Sequence, residues 1–159
     1  MRRAPAGFTA FELLLVIALF GVIFGTVSIS LSTLQNRNAL QDAAAGVVDA
    51  LRRAETQALS GYDGDRWGVH FSDGDGCVLP ASKYYIYRGA TFTTATDTVD
   101  VFTLPGKVTV SGIAVGGGCD ISFSRFHGIT SSPGTVTLTN QNGATSTVTV
   151  NGYGRVVSQ

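Results

Sequence analysis

Two periods follow one another along this chain. From Leu13 to Gly25 no side chain is polar, and small hydroxyl residues (Thr26, Ser28, Ser30) carry the apolar run on to Leu31. A run of that length is enough for a helix to cross a bilayer core of about 30 Å, which takes roughly 20 residues. From Leu34 the spacing changes to three and four. Leu34, Leu40, Ala44, Val47, Leu51, Ala54 and Ala58 fall on one stripe, while Gln41, Asp42, Asp49, Arg52, Arg53 and Glu55 mostly face elsewhere, the pattern of an amphipathic helix. Gly61 is well placed to cap it. The two stretches predict one continuous helix over residues 8–60, about 75 Å long at 1.5 Å per residue.

Beyond Gly61 the period drops to two. Short alternating segments ("RWGVHF", "KYYIYR", "VDVFTL", "KVTVSGIAV", "DISFSRF", "GTVTLTN", "STVTVNG", "GRVVS") are separated by "DGDG", "LPG", "GGG", "SSPG" and "NQNGA". Those separators supply the positive-φ and fixed-φ residues that turns require, and the runs flanking "NQNGA" predict a hairpin. The fold class is therefore α+β: a long N-terminal helix, half membrane-type and half amphipathic, packed on an antiparallel β-sheet domain.

Charge narrows the function. The 11 basic and 11 acidic residues cancel, which leaves no net field to draw a polyanion. Arg2 and Arg3 precede the apolar run, so the positive-inside rule places them in the cytoplasm and the β domain outside. A cleaved secretory signal fits only in part, because the run is long, no A-x-A site follows it and the helical period continues past Ser32. In an exported chain the two cysteines, Cys77 and Cys119, are expected to form one disulfide; two buried free thiols are the alternative. Neither His70 nor His127 has the spacing to complete a zinc site with them. Asp63 with Asp65 and Asp73 with Asp75 resemble calcium loops, but the twelfth loop position counted from Asp73 is Tyr84 rather than a glutamate. No nucleophile elbow or phosphate loop is present, and neither histidine has a catalytic partner nearby in sequence. No catalytic residue, metal or cofactor is expected.

Glu12 stands at the mouth of the apolar run, where an acid buried at the bilayer centre would cost about 2.5–3.5 kcal/mol. The stretch "GFTAFELLLVIA" resembles the class III signal of type IV pilins and type II secretion pseudopilins, in which a short basic leader, Gly-Phe-Thr, a glutamate and an apolar run arrive together. Only Ala10-Phe11 departs from the usual Leu-Ile, in bulk rather than polarity. The resemblance implies that a prepilin peptidase cuts after Gly7 and methylates Phe8, making Glu12 the fifth residue of the mature chain. It implies a leader (1–7), a transmembrane and filament-core helix (8–31), an amphipathic continuation (32–60) and a β-rich domain (61–159). The implied partners are other pilins or pseudopilins, the peptidase and the inner-membrane assembly platform, and the implied location is the inner membrane before assembly and the filament after it. Removing the leader creates an α-amine about one helical turn from Glu12, and pairing of that acid with the amine of the same or the next subunit would favour assembly.

Downstream, "ALRRAETQALSG", "WGVHF", "ISFSRFHGITSSPGTVTLT" and "VTVNGYGRV" are similar to the GspH/FimT branch of minor pseudopilins. The membrane half lacks the proline that major pilins often carry, which also favours a minor subunit. Some FimT-type pilins take up DNA through a basic C-terminal loop. Here the matching tail "NGYGRVVSQ" offers Arg155 alone, beside Tyr153, with Arg88, Lys107 and Arg125 scattered along the sequence. A phosphate-tracking surface needs several converging cations, so DNA binding stands as the alternative reading.

Overall fold

The computed structural model describes residues 7–61, 64–74, 76–90, 92, 98–116, 118–130 and 132–159, with residues 26–33 described for their backbone alone. The expected leader (all but Gly7), Asp63 and Asp75 lie outside the described residues. Helix α1 spans Ala10–Ser60, unbroken by proline. Its start is set by Thr9, whose Oγ1 accepts the Glu12 N–H at 3.3 Å and whose carbonyl accepts the Leu13 N–H at 3.2 Å, the geometry of an N-cap. Its end is set by Gly61, at φ +64°, whose N–H reaches the Ala58 carbonyl at 3.1 Å.

The chain divides into two compact units, Met1–Gln35 and Asn36–Gln159. In the first, every large apolar side chain from Phe8 to Phe24 is exposed, none by less than 40%, so among the described residues 8–25 the helix has no buried face. Among the described residues no helix is long and apolar enough to cross a membrane. Of the expected span 8–31, the side chains of residues 26–31 lie outside the described ones.

In the second unit the helix stripe is buried in one core with both sheets. Strands β1 (Trp67–His70), β2 (Lys83–Arg88), β3 (Thr98–Thr103) and β5 (Asp120–Phe123) form an antiparallel sheet in the order β3-β2-β1-β5. Strands β4 (Val108–Val115), β6 (Gly134–Asn140), β7 (Thr145–Val150) and β8 (Val156–Ser158) form a second, in the order β4-β6-β7-β8. Alternation sorts the side chains. Val69, Ile86, Ile121 and Phe123 from the first sheet meet Val110, Leu138, Val148 and Val150 from the second around Val47, Leu51, Ala54 and Ala58. Small residues on the helix let the sheets come close; a Cβ at Gly46 would stand 3.1 Å from the Tyr84 hydroxyl.

Paired bonds between Ala81 and Val110, at 3.0 and 2.8 Å, link the sheets. The Asn140 side chain ties the β6–β7 turn to the helix, accepting the Asn142 and Ala144 N–H groups and donating to the Asn36 carbonyl. Leu34, expected on the buried stripe, is 53% exposed, because the packed unit begins only at Asn36.

Candidate functional site

Three places gather the chemistry-bearing residues. The first is the start of α1. Gly7 and Phe8 precede the helix, Phe8 is 79% exposed, and a Cβ at Gly7 would touch nothing within 4 Å. Thr9 and Glu12 stand at the N-cap and N3 positions, the spacing of a capping box, a signal the charge argument passes over. Glu12 thus has a local role: a carboxylate in the first turn complements the positive end of the helix dipole. Among the described residues, no cation is paired with that carboxylate.

The second place is the loop between β1 and β2. The Cys77–Cys119 disulfide is formed, with Cα atoms 5.3 Å apart. Beside it His70 is buried, with Nδ1 2.6 Å from Asp120 Oδ1 and Nε2 2.9 Å from the Gly74 carbonyl, and its ring stacks on Phe92 at 4.0 Å. Both ring nitrogens face acceptors, and the carboxylate partner lies 50 residues away in sequence. The Ser72 hydroxyl donates to the Gly76 carbonyl and accepts the Val78 N–H. Asp73 accepts both the N–H and the hydroxyl of Ser82, at 2.8 and 3.0 Å. This aspartate therefore braces the loop. Among the described residues no group of three His, Cys, Asp or Glu is placed to hold a metal ion.

The third place is the end of the β domain beside the C-terminus of α1. The turn after β5 closes through Ser124 N–H to Ile129 O (2.8 Å) and Gly128 N–H to Ser124 O (3.0 Å). Phe126, at φ +63°, donates its N–H to the Ala58 carbonyl at 2.9 Å, so a residue distant in sequence adds a second donor to the helix-end carbonyl that the Gly61 N–H also reaches. Its ring occupies the space beside Gly61, and the Arg125 guanidinium lies 4.3 Å from the ring centroid, a cation–π contact.

The C-terminal turn docks here. Asn151 Oδ1 accepts the Tyr153 and Arg155 N–H groups. Gly154, at φ +85°, lies so close that a Cβ would stand 2.3 Å from the Gly128 carbonyl oxygen. The turns bearing Arg125, His127 and Arg155 therefore adjoin, a grouping that sequence distance hides. Lys107 stays apart: its carbonyl accepts the Gln141 N–H in the turn that abuts Asn36.

Arg155 shares an open cleft of about 530 Å³ with Arg52, Glu55, Tyr153 and Ser158. Burial raises the Glu55 pKa, and the Arg52 charge partly offsets the rise. Tyr153 is 85% exposed.

No family model matches the sequence, and no curated protein matches it. Among solved structures, the type IV minor pilin FimU of Pseudomonas aeruginosa is similar over 79% of this chain and 92% of its own, with a TM-score of 0.59 and 13% identity. At that identity the likeness is one of fold. The chain has the pilin-like architecture, a long N-terminal helix packed on antiparallel sheet.

Proposed function

We propose that the chain is a minor pilin or pseudopilin: a non-enzymatic subunit of a type IV pilus or type II secretion pseudopilus that enters the filament by its N-terminal helix. In this reading a prepilin peptidase cuts after Gly7 and methylates Phe8. Residues 8–31 hold the subunit in the inner membrane until the assembly platform passes it, with other pilins, into the filament, and the β domain faces outward.

The observation that carries the reading is the exposed apolar run from Phe8 to Phe24, which includes Glu12 and leads into a pilin-like fold. Apolar surface on that scale needs lipid or protein around it. A carboxylate entering such surroundings is costly unless a cation meets it, and the new α-amine of the same or a neighbouring subunit is the cation that processing creates. Intact-mass measurement on the chain from cells containing the peptidase tests processing. A methylated chain beginning at Phe8 is expected; one beginning at Met1, or cut near Ser32, refutes it.

DNA binding is the second reading, favoured by the adjoining turns that bring Arg125, His127, Arg155 and the exposed Tyr153 to one end of the domain. It requires salt-sensitive binding of duplex that Arg155→Ala weakens; no binding at low salt ends it.

A further inference from the structure

At the same end of the domain, the outward face of the first sheet carries a hollow whose donors, Arg66, Ser122 and Ser124, neither reading uses. Arg66, Ser122, Ser124, His127 and Ile129 line a concavity of about 310 Å³, at the lower edge of the range of small-ligand sites, about 300–1,000 Å³. The β1–β5 ladder pairs Trp67 with Phe123 and Gly68 with Ser122. Continued by one residue, that register sets Arg66 opposite Ser124. The backbone bonds Ser124 N–H to Ile129 O and Gly128 N–H to Ser124 O fold the following turn back, which brings His127 and Ile129 to the rim. His127 Nδ1 is held 3.1 Å from the Arg125 carbonyl.

The lining is one-sided in its chemistry. It offers a guanidinium, with five N–H donors in a fixed fork, and two hydroxyls that rotate to suit a partner, and it contains no carboxylate. Among the described residues, the Arg66 guanidinium and the Ser122 and Ser124 hydroxyls have no hydrogen-bond or ion-pair partner within the chain. The neighbouring acid, Asp65, accepts the Arg66 backbone N–H on Oδ1 at 2.8 Å.

We propose that this hollow binds one tetrahedral oxyanion, phosphate or sulfate, through the Arg66 guanidinium and the Ser122 and Ser124 hydroxyls. Guanidinium–oxyanion contacts are among the stronger hydrogen bonds available at a protein surface. A single convergent donor set encloses one such group, whereas tracking a nucleic-acid backbone takes cations spread along a strand. The inference does not rest on the filament reading.

The chain has two histidines, His70 and His127, which makes the test selective. The full-length chain in detergent, labelled in its histidine rings, is titrated at fixed pH with inorganic phosphate and separately with sulfate, against chloride at matched ionic strength. A saturable shift of the His127 ring signals, with buried His70 unmoved, is expected for phosphate, sulfate or both, and the two arms tell which.

Arg66→Gln should weaken binding about ten-fold or more. Ser122→Ala with Ser124→Ala should weaken it too, with unshifted His70 signals reporting an intact fold, and Arg155→Ala should leave it unchanged. Equal shifts with chloride, no saturation, or unaltered binding by Arg66→Gln overturns the proposal. Loss on Arg155→Ala instead moves the anion to the other cleft and overturns it as well.

Discussion

Gly154→Ala and Gly143→Ala set up the same backbone problem in two surroundings. Gly154 has φ +85° and Gly143 φ +77°, so an alanine at either pays for the left-handed region, about 1–2 kcal/mol, reduced a little by the lower entropy of the unfolded chain. Around Gly143 a Cβ meets nothing within 4 Å; at Gly154 it would stand 2.3 Å from the Gly128 carbonyl oxygen and 3.0 Å from Glu55 Oε1. The first is backbone and cannot swing aside, so the turn must lift, which adds an overpacking cost of about 1–3 kcal/mol. Gly143→Ala is expected to lose about 1 kcal/mol and Gly154→Ala about 2–4 kcal/mol. Chemical denaturation of the full chain in detergent, followed by the fluorescence of Trp67, the chain's one tryptophan, buried in the core, measures both. Equal losses would show that the Asn151–Arg155 turn is not docked on the turn after β5, and the grouping of Arg155 with Arg125 and His127 would fall with it.

Two further outcomes follow from the same geometry. Removing the disulfide by Cys77→Ser with Cys119→Ser, which opens a loop spanning 42 residues, should cost up to about 4 kcal/mol by chain entropy; denaturation midpoints unchanged by the double substitution would contradict this. Glu55 has its folded-state pKa raised by burial, with Arg52 lowering it in part, so the folded state holds that proton more tightly than the unfolded one. The resulting penalty is absent below the ordinary carboxylate range, grows as pH rises through the window between the unfolded and raised values, and is constant above it. Glu55→Gln should therefore be modestly more stable than the parent at neutral pH, with the advantage fading as pH falls through the raised value and gone below about 4.3; an advantage that grows on acidification would refute the burial argument.

Local pattern carries far in this chain. The helix, its Gly61 cap and six of the eight strands fall within stretches whose period and flanking turn residues announce them, β3 and β7 each begin one residue ahead of theirs, and "KYYIYR" coincides with β2 from end to end. What local pattern cannot carry is long-range pairing. β5 joins β1 across three intervening strands rather than extending the sheet of its sequence neighbours, a choice made by the shared core and not by any segment alone. The burial of His70 depends on Asp120, far along the chain, and the basic end of the domain depends on Gly154 meeting Gly128. Leu34 shows the converse limit: its spacing marks a buried stripe, but burial also requires a partner, and the packed unit starts two residues later. The Thr9–Glu12 capping pattern is in plain view in the sequence and is easily missed, because the charge of Glu12 already suggests another purpose.

That double role determines how the central claim is tested. Glutamine at N3 supports a capping box as glutamate does, so Glu12→Gln keeps the helix start and removes only the charge, whereas Glu12→Ala removes both. The measurement is the amount of each processed variant recovered in sheared filaments relative to the membrane fraction, in cells that assemble the wild-type chain. If an acid in apolar surroundings draws in the amine of an adjoining subunit, both variants are cut after Gly7 and both stay in the membrane; Glu12→Gln entering filaments as well as the wild type would contradict the account.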